Sequence, residues 1–101
     1  MPKLYEYFGL VILFYSNEHE PVHVHGLYQG QESKAELIIE NGAVISIQFS
    51  DVKGRRSLDA ANREAFQMLV KTHADDIVRK WIDYFVLHKS VHAEKITRRI
   101  K

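Results

Sequence analysis

The sequence predicts an α+β fold: an antiparallel β-meander of about four strands, followed by two helices packed on one of its faces. Three observations carry that prediction. The first half holds short β-branched and aromatic runs separated by turn residues, while the second half holds apolar residues at helical spacing. The length, 101 residues, allows one hydrophobic core and is too short for a second.

Taken in order, Leu10-Val11-Ile12-Leu13-Phe14-Tyr15 is a continuous apolar run of the kind covered on both faces, with Gly9 marking a bulge within it. Ser16 to Glu20 followed by Pro21 reads as a turn, because proline lacks the amide a strand ladder needs and holds its predecessor extended. Val22 to Tyr28 is a second strand. Gly30-Gln31-Glu32 forms the next turn, Ala35 to Glu40 a third strand, Asn41-Gly42 a strong hairpin signal, and Val44 to Phe49 a fourth strand.

After a basic loop over 51–57, the apolar set Leu58, Ala61, Ala65 and Leu69 predicts a helix from Asp59 to Lys71. Thr72 or His73 caps a second helix, where Asp75 and Asp76 suit the positive end of the helix dipole. Its apolar side carries Ile77, Trp81, Tyr84, Phe85 and His88. The aromatic residues there read as core, and His88 as a core or interface histidine. His73 reads as a cap and His92 as surface. The last residues, Val91 to Lys101, are mostly charged and either extend the helix or fray. A single domain over 1–101 is expected, with a strand-rich half at 1–50, two helices within 58–90 and a basic tail at 91–101.

Composition narrows the chemistry. Hydrophobic residues at 46% and charged residues at 27% match a folded protein and lie far from the signature of disorder. The absence of cysteine excludes thiolate metal sites, disulfides and thiol nucleophiles, so any metal must be held by His, Asp or Glu. The longest apolar stretch, Phe8 to Tyr15, is about half a bilayer span and is not accompanied by a signal peptide's basic leader and cleavage site. A cytoplasmic bacterial-type protein is therefore expected, without a membrane partner.

The formal net charge of +1 hides a polarity. Residues 1–50 carry two Lys against six Glu, and residues 51–101 carry twelve basic against seven acidic groups. Lys53, Arg55 and Arg56 in the loop, with Lys95, Arg98, Arg99 and Lys101 in the tail, are candidates for meeting nucleic-acid phosphate or an acidic partner. Such segments also serve simply as solvated surface.

The chemically distinctive segment is Asn17-Glu18-His19-Glu20-Pro21-Val22-His23-Val24-His25, which holds three of the six histidines. On a strand, His23 and His25 share a face with Leu27, their side chains rooted roughly 7 Å apart. Three uses of that pattern are open. His19, His23 and His25 with Glu18 supply nitrogen and oxygen donors for a divalent metal, zinc first, with iron or manganese also suited. Alternatively, His23 and His25 divide acid and base roles across a phosphodiester or ester, with Lys53, Arg55 or Arg56 balancing charge; lacking an evident nucleophile, this takes its natural form in RNA cleavage by the 2′-hydroxyl. In the third, the histidines are polar residues on an exposed strand face.

Three segments together, Phe8-Gly9-Leu10-Val11-Ile12, the histidine segment, and His73-Ala74-Asp75-Asp76-Ile77-Val78-Arg79-Lys80-Trp81, resemble the domain of unknown function 4160 family of small bacterial proteins. Val22 stands where that family's pattern has a second proline, and the connection from Asp51 to Ser57 is longer and more basic. The resemblance implies that Glu18, His19, Pro21, His23 and His25 belong to the family signature. It also implies a small cognate partner of the domain of unknown function 2442 type, in a pair that looks like a toxin–antitoxin module. Two functions are thus expected as alternatives. One is a toxin-like protein whose histidines bind a divalent metal or act on a phosphate-containing substrate. The other is a non-catalytic module that binds a protein or nucleic acid through its meander edge or basic helical surface.

Overall fold

The computed structural model describes residues 3–15 and 22–99. The elements are β1 (Lys3–Tyr7), β2 (Leu10–Leu13), β3 (His23–Tyr28), β4 (Gln31–Glu40), β5 (Ala43–Asp51), α1 (Ala60–Thr72), α2 (Ala74–Phe85) and β6 (Glu94–Ile96). They form one six-stranded sheet in the order β5-β4-β3-β2-β1-β6, antiparallel throughout except for the parallel β1–β6 pair. The α+β class and the meander are as the sequence predicts. Two strands are additional: β1 precedes the expected meander, and residues 94–96 of the basic tail pair with Tyr5, Glu6 and Tyr7 instead of extending a helix.

Three two-residue turns stitch the meander. Phe8-Gly9, Gln29-Gly30 and Asn41-Gly42 each place both residues at positive φ, the type I′ geometry whose twist matches the flanking strands. Gly9 therefore belongs to a turn, not to a bulge inside a longer strand. Likewise the second turn is Gln29-Gly30, so Gln31 and Glu32 open β4. That one-position difference places Glu32 on a defined face of the sheet.

One face is covered by helices. Val24 and Ala35 are fully buried, and Leu37 nearly so, in a core shared with Phe66, Leu69 and Val70 of α1 and Ile77 and Trp81 of α2. Gly26 lets the layers close: a Cβ there would meet the Phe66 ring at 2.6 Å, nearer than carbon atoms pack. Asp59 caps α1 by accepting from the Asn62 backbone amide at 2.9 Å. The Asn62 backbone and side-chain amides hold its carboxyl below the ordinary range.

At the helix junction, His73 occupies the predicted cap position of α2 but makes no capping side-chain hydrogen bond. Its ring instead stacks on Tyr5 with centroids 4.6 Å apart. The structure corrects the core alternative for His88: α2 ends at Phe85, and His88 lies beyond it, exposed and at positive φ. Among the described residues no helix is long and apolar enough to cross a membrane.

Candidate functional site

Alternation along β3 puts Val24 and Gly26 toward the helices, and His23, His25 and Leu27 on the opposite face. The register sets His23 opposite Glu36, His25 opposite Lys34 and Leu27 opposite Glu32 on β4, with Leu13 of β2 opposite His25 on the other side. The helix-free face thus collects imidazoles and carboxylates from adjacent strands.

His25 is nonetheless buried, at 5% exposure, as is Glu32 at 4%. Glu32 lies diagonally across from His25, and its Oε2 sits 2.9 Å from His25 Nδ1. Tyr15, two residues past Leu13 on the same side, donates its hydroxyl to that oxygen at 2.9 Å and sets its ring edge-on to His25, 4.5 Å between centroids. On the other carboxylate oxygen, Arg55 Nε lies 3.3 Å from Glu32 Oε1. A buried carboxylate needs compensation of this kind, because desolvation without partners costs several kcal/mol.

The loop that delivers Arg55 is anchored. Where β5 ends opposite Ser33, the chain turns back so that Arg56 bridges Gln31, and the Glu32 amide donates to the Arg56 carbonyl at 2.8 Å. Backbone bonds therefore hold both the carboxylate and its guanidinium partner.

The electronic consequence falls on His25. With Nδ1–H donated to Glu32, the ring is held in the tautomer that leaves its lone pair on Nε2. His23 stands beside it, ring centroids 5.5 Å apart.

Of the residues singled out in the sequence, His23, His25 and Arg55 come together. Lys53 and Arg56 are exposed on the same loop. Arg99 does not join them: its guanidinium lies over the Phe8 ring, 3.9 Å from the centroid, at the β1–β2 turn. Arg98 is exposed beside it in the chain. Glu18, His19 and Pro21 lie outside the described residues. Among the described residues, no group of three or more His, Asp or Glu side chains is arranged to hold a metal. The sequence reading misses Glu32 and Tyr15. A turn at Gln29-Gly30 would have exposed the first, since a two-residue hairpin there puts Glu32 on the face of His25.

The family described as Domain of unknown function (DUF4160) matches this chain over residues 9–82. That span contains both histidines, Tyr15, Glu32 and Arg55. No curated protein and no solved structure matches the chain.

Proposed function

Because the chain belongs to the domain of unknown function 4160 family, whose description assigns no activity, we propose a function from the site itself: His23 and His25 form a proton-transfer pair, oriented by Glu32, that cleaves RNA through the 2′-hydroxyl. The observation that carries this reading is the 2.9 Å contact between His25 Nδ1 and Glu32 Oε2, a carboxylate–imidazole arrangement that fixes the base nitrogen and stabilises the imidazolium once it forms.

The step balances without a protein nucleophile. His25 Nε2 takes the 2′-hydroxyl proton as that oxygen bonds to phosphorus. The bond from phosphorus to the 5′-oxygen breaks, and protonated His23 gives its proton to the departing oxygen. The products are a 2′,3′-cyclic phosphate and a 5′-hydroxyl end. The anchored loop supports this reading with positive charge from Lys53, Arg55 and Arg56 for the phosphate oxygens.

A second reading draws on the ring separation. Two imidazoles bound to one tetrahedral ion at about 2.0–2.1 Å have ring centres about 5 Å apart, close to the 5.5 Å between His23 and His25. On that reading the pair holds a divalent cation such as zinc, and His19 and Glu18 are the candidate remaining donors.

The test incubates single-stranded RNA with the protein, with and without a chelator, and assays for cyclic-phosphate ends. Chelator-resistant cleavage lost in His23→Ala and His25→Ala supports the proton-transfer pair. Chelator-sensitive cleavage, with both ring signals shifting at one equivalent of zinc in a long-range nitrogen–proton NMR spectrum, supports the metal reading. Intact RNA, or cleavage that survives both substitutions, removes the nuclease function.

A further inference from the structure

The turn that joins β1 to β2 carries a residue its backbone disfavours. At the corresponding position of the β4–β5 hairpin stands Asn41, φ 54°, a residue type that left-handed backbone accepts. Here stands Phe8, φ 47°, and bulky side chains are rare in that region. Burial does not offset the strain, because 47% of Phe8 is exposed. Strained backbone of this kind concentrates where the side chain it presents meets a ligand.

The Phe8 ring borders a cavity of about 530 Å³ on the helical side of the sheet, within the size range of small-molecule sites. Tyr7 and Phe8 form one wall, their rings edge to face with centroids 4.8 Å apart. Tyr28 forms another, and its ring packs on Gly9, where an added Cβ would stand 3.1 Å from it. Between them lies the α1 face that carries Ala61, Ala65 and Met68 at helical spacing, and the two alanines are small enough to leave the space open.

The charge at this cavity has one sign. The Arg99 guanidinium lies 3.9 Å from the Phe8 centroid and 5.8 Å from that of Tyr7. It is exposed, and among the described residues no carboxylate pairs with it and none lines the cavity. A guanidinium held against an aromatic face keeps its N–H edge for an oxyanion. Asn62 adds a directed acceptor to the lining: its Nδ2 donates to both Asp59 carboxylate oxygens, at 3.1 Å each, which leaves its carbonyl oxygen as the group it offers a ligand.

We propose that this cavity binds a free nucleoside monophosphate. The base stacks against Phe8 and Tyr28, an amino group on the base donates to Asn62, and the phosphate pairs with Arg99. An apolar ligand would leave the cation and the amide unmatched, and an inorganic anion would leave the rings uncovered; a nucleotide meets all three. A nucleic-acid strand needs a cationic track for successive phosphates, whereas Arg99 is the one cation among the described lining residues. Alternation puts Tyr28 on the face of Val24 and Gly26, opposite His23 and His25, so this site is separate from the histidine pair and independent of the function proposed for it.

Titration of the intact chain with adenosine monophosphate, followed by calorimetry and by aromatic and methyl NMR signals, tests it. Expected are one saturable site, shifts at Phe8, Tyr28, Ala61 and Ala65, and affinity about tenfold or more weaker for adenosine than for its monophosphate. Arg99→Gln should bind the two ligands alike. Phe8→Asn should weaken binding about tenfold or more with wild-type circular dichroism, since asparagine suits the turn. The two ligands are compared on the wild type, so the test stands even if a variant fails to fold. No binding at about 1 mM nucleotide, shifts confined to His23 and His25, equal affinity for adenosine and its monophosphate, or a folded Phe8→Asn that binds unchanged overturns the proposal. An oligoadenylate that binds here where the mononucleotide does not overturns it in favour of a strand.

Discussion

Glu32 and His25 meet side chain to side chain although neither is the other's partner in the β3–β4 register; Glu32 faces Leu27, and His25 faces Lys34. The contact is diagonal, across one face of a hairpin, within reach of long side chains. Replacing Glu32 by Gln keeps the shape and removes the charge. His25 then loses its charge-assisted partner, and Arg55 its carboxylate. Expected is a loss of about 1–3 kcal/mol in denaturant unfolding, with the His25 ring leaving its single tautomer in long-range nitrogen–proton spectra. An unchanged tautomer would show that Glu32 does not orient the ring. Tyr15→Phe removes one bond to the same oxygen, and about 1 kcal/mol is the expected cost.

Gly26 faces Phe66 with no room for a methyl group, a Cβ falling 2.6 Å from the ring. Gly26→Ala should therefore destabilise by about 1–3 kcal/mol, through overpacking and not through backbone conformation. Pairing it with Phe66→Leu gives the mechanism a direct check. If sterics are the cause, the double variant is more stable than the sum of the two single losses implies, and strict additivity in urea unfolding would count against it.

Lys80 ties the helical layer to the added edge strand. Its Nζ is 3.2 Å from Asp76 Oδ2, 2.9 Å from Glu94 Oε1 of β6 and 4.3 Å from the centroid of the Tyr5 ring. Because β6 is only three residues long, this tie adds substantially to its pairing with β1 and the packing of Ile96 on the core. Lys80→Met should raise amide exchange across Glu94 to Ile96 well above that of β1, whereas equal changes in both strands would mean that Lys80 supports the fold generally.

The split between strands and helices was legible because it rests on periodicity, and Asn41-Gly42 and the α1 pattern translated directly into structure. What stayed hidden depends on contacts distant in sequence. β1, Lys-Leu-Tyr-Glu-Tyr, mixes polar and aromatic residues, and β6 is a charged tripeptide; neither reads as a strand until the sheet edge gives it a partner. The histidine face was visible from the two-residue period of β3, yet burial of His25 was not, since polar residues opposite the helices normally meet water. Its burial follows from Tyr15, Leu13 and Glu32 closing around it, which needed the Gln29-Gly30 turn placed correctly.

A hydrogen bond from the Tyr5 hydroxyl to Asp76 joins β1 to α2 and gives the fold a pH signature at both extremes. Burial, then the hydrogen bond and charge of Asp76, push the Tyr5 phenol far above its usual 10.0. Burial works against ionised Asp76, but the Tyr5 hydroxyl, Lys80 and Arg79 outweigh it and hold the carboxyl below its usual 3.8. A lowered native value means that folding favours the carboxylate; that contribution is full above the unfolded value and fades as pH falls through the native one. A raised native value means that folding favours neutral phenol; that contribution is full below 10.0 and fades as pH rises beyond it. These two contributions should thus hold level between about pH 5 and 9 and decline on either side. Urea midpoints measured to either side of that span should show the acid limb flattened in Asp76→Asn and the alkaline limb flattened in Tyr5→Phe. An acid limb that Asp76→Asn leaves at its wild-type slope would assign the low-pH loss to other carboxylates.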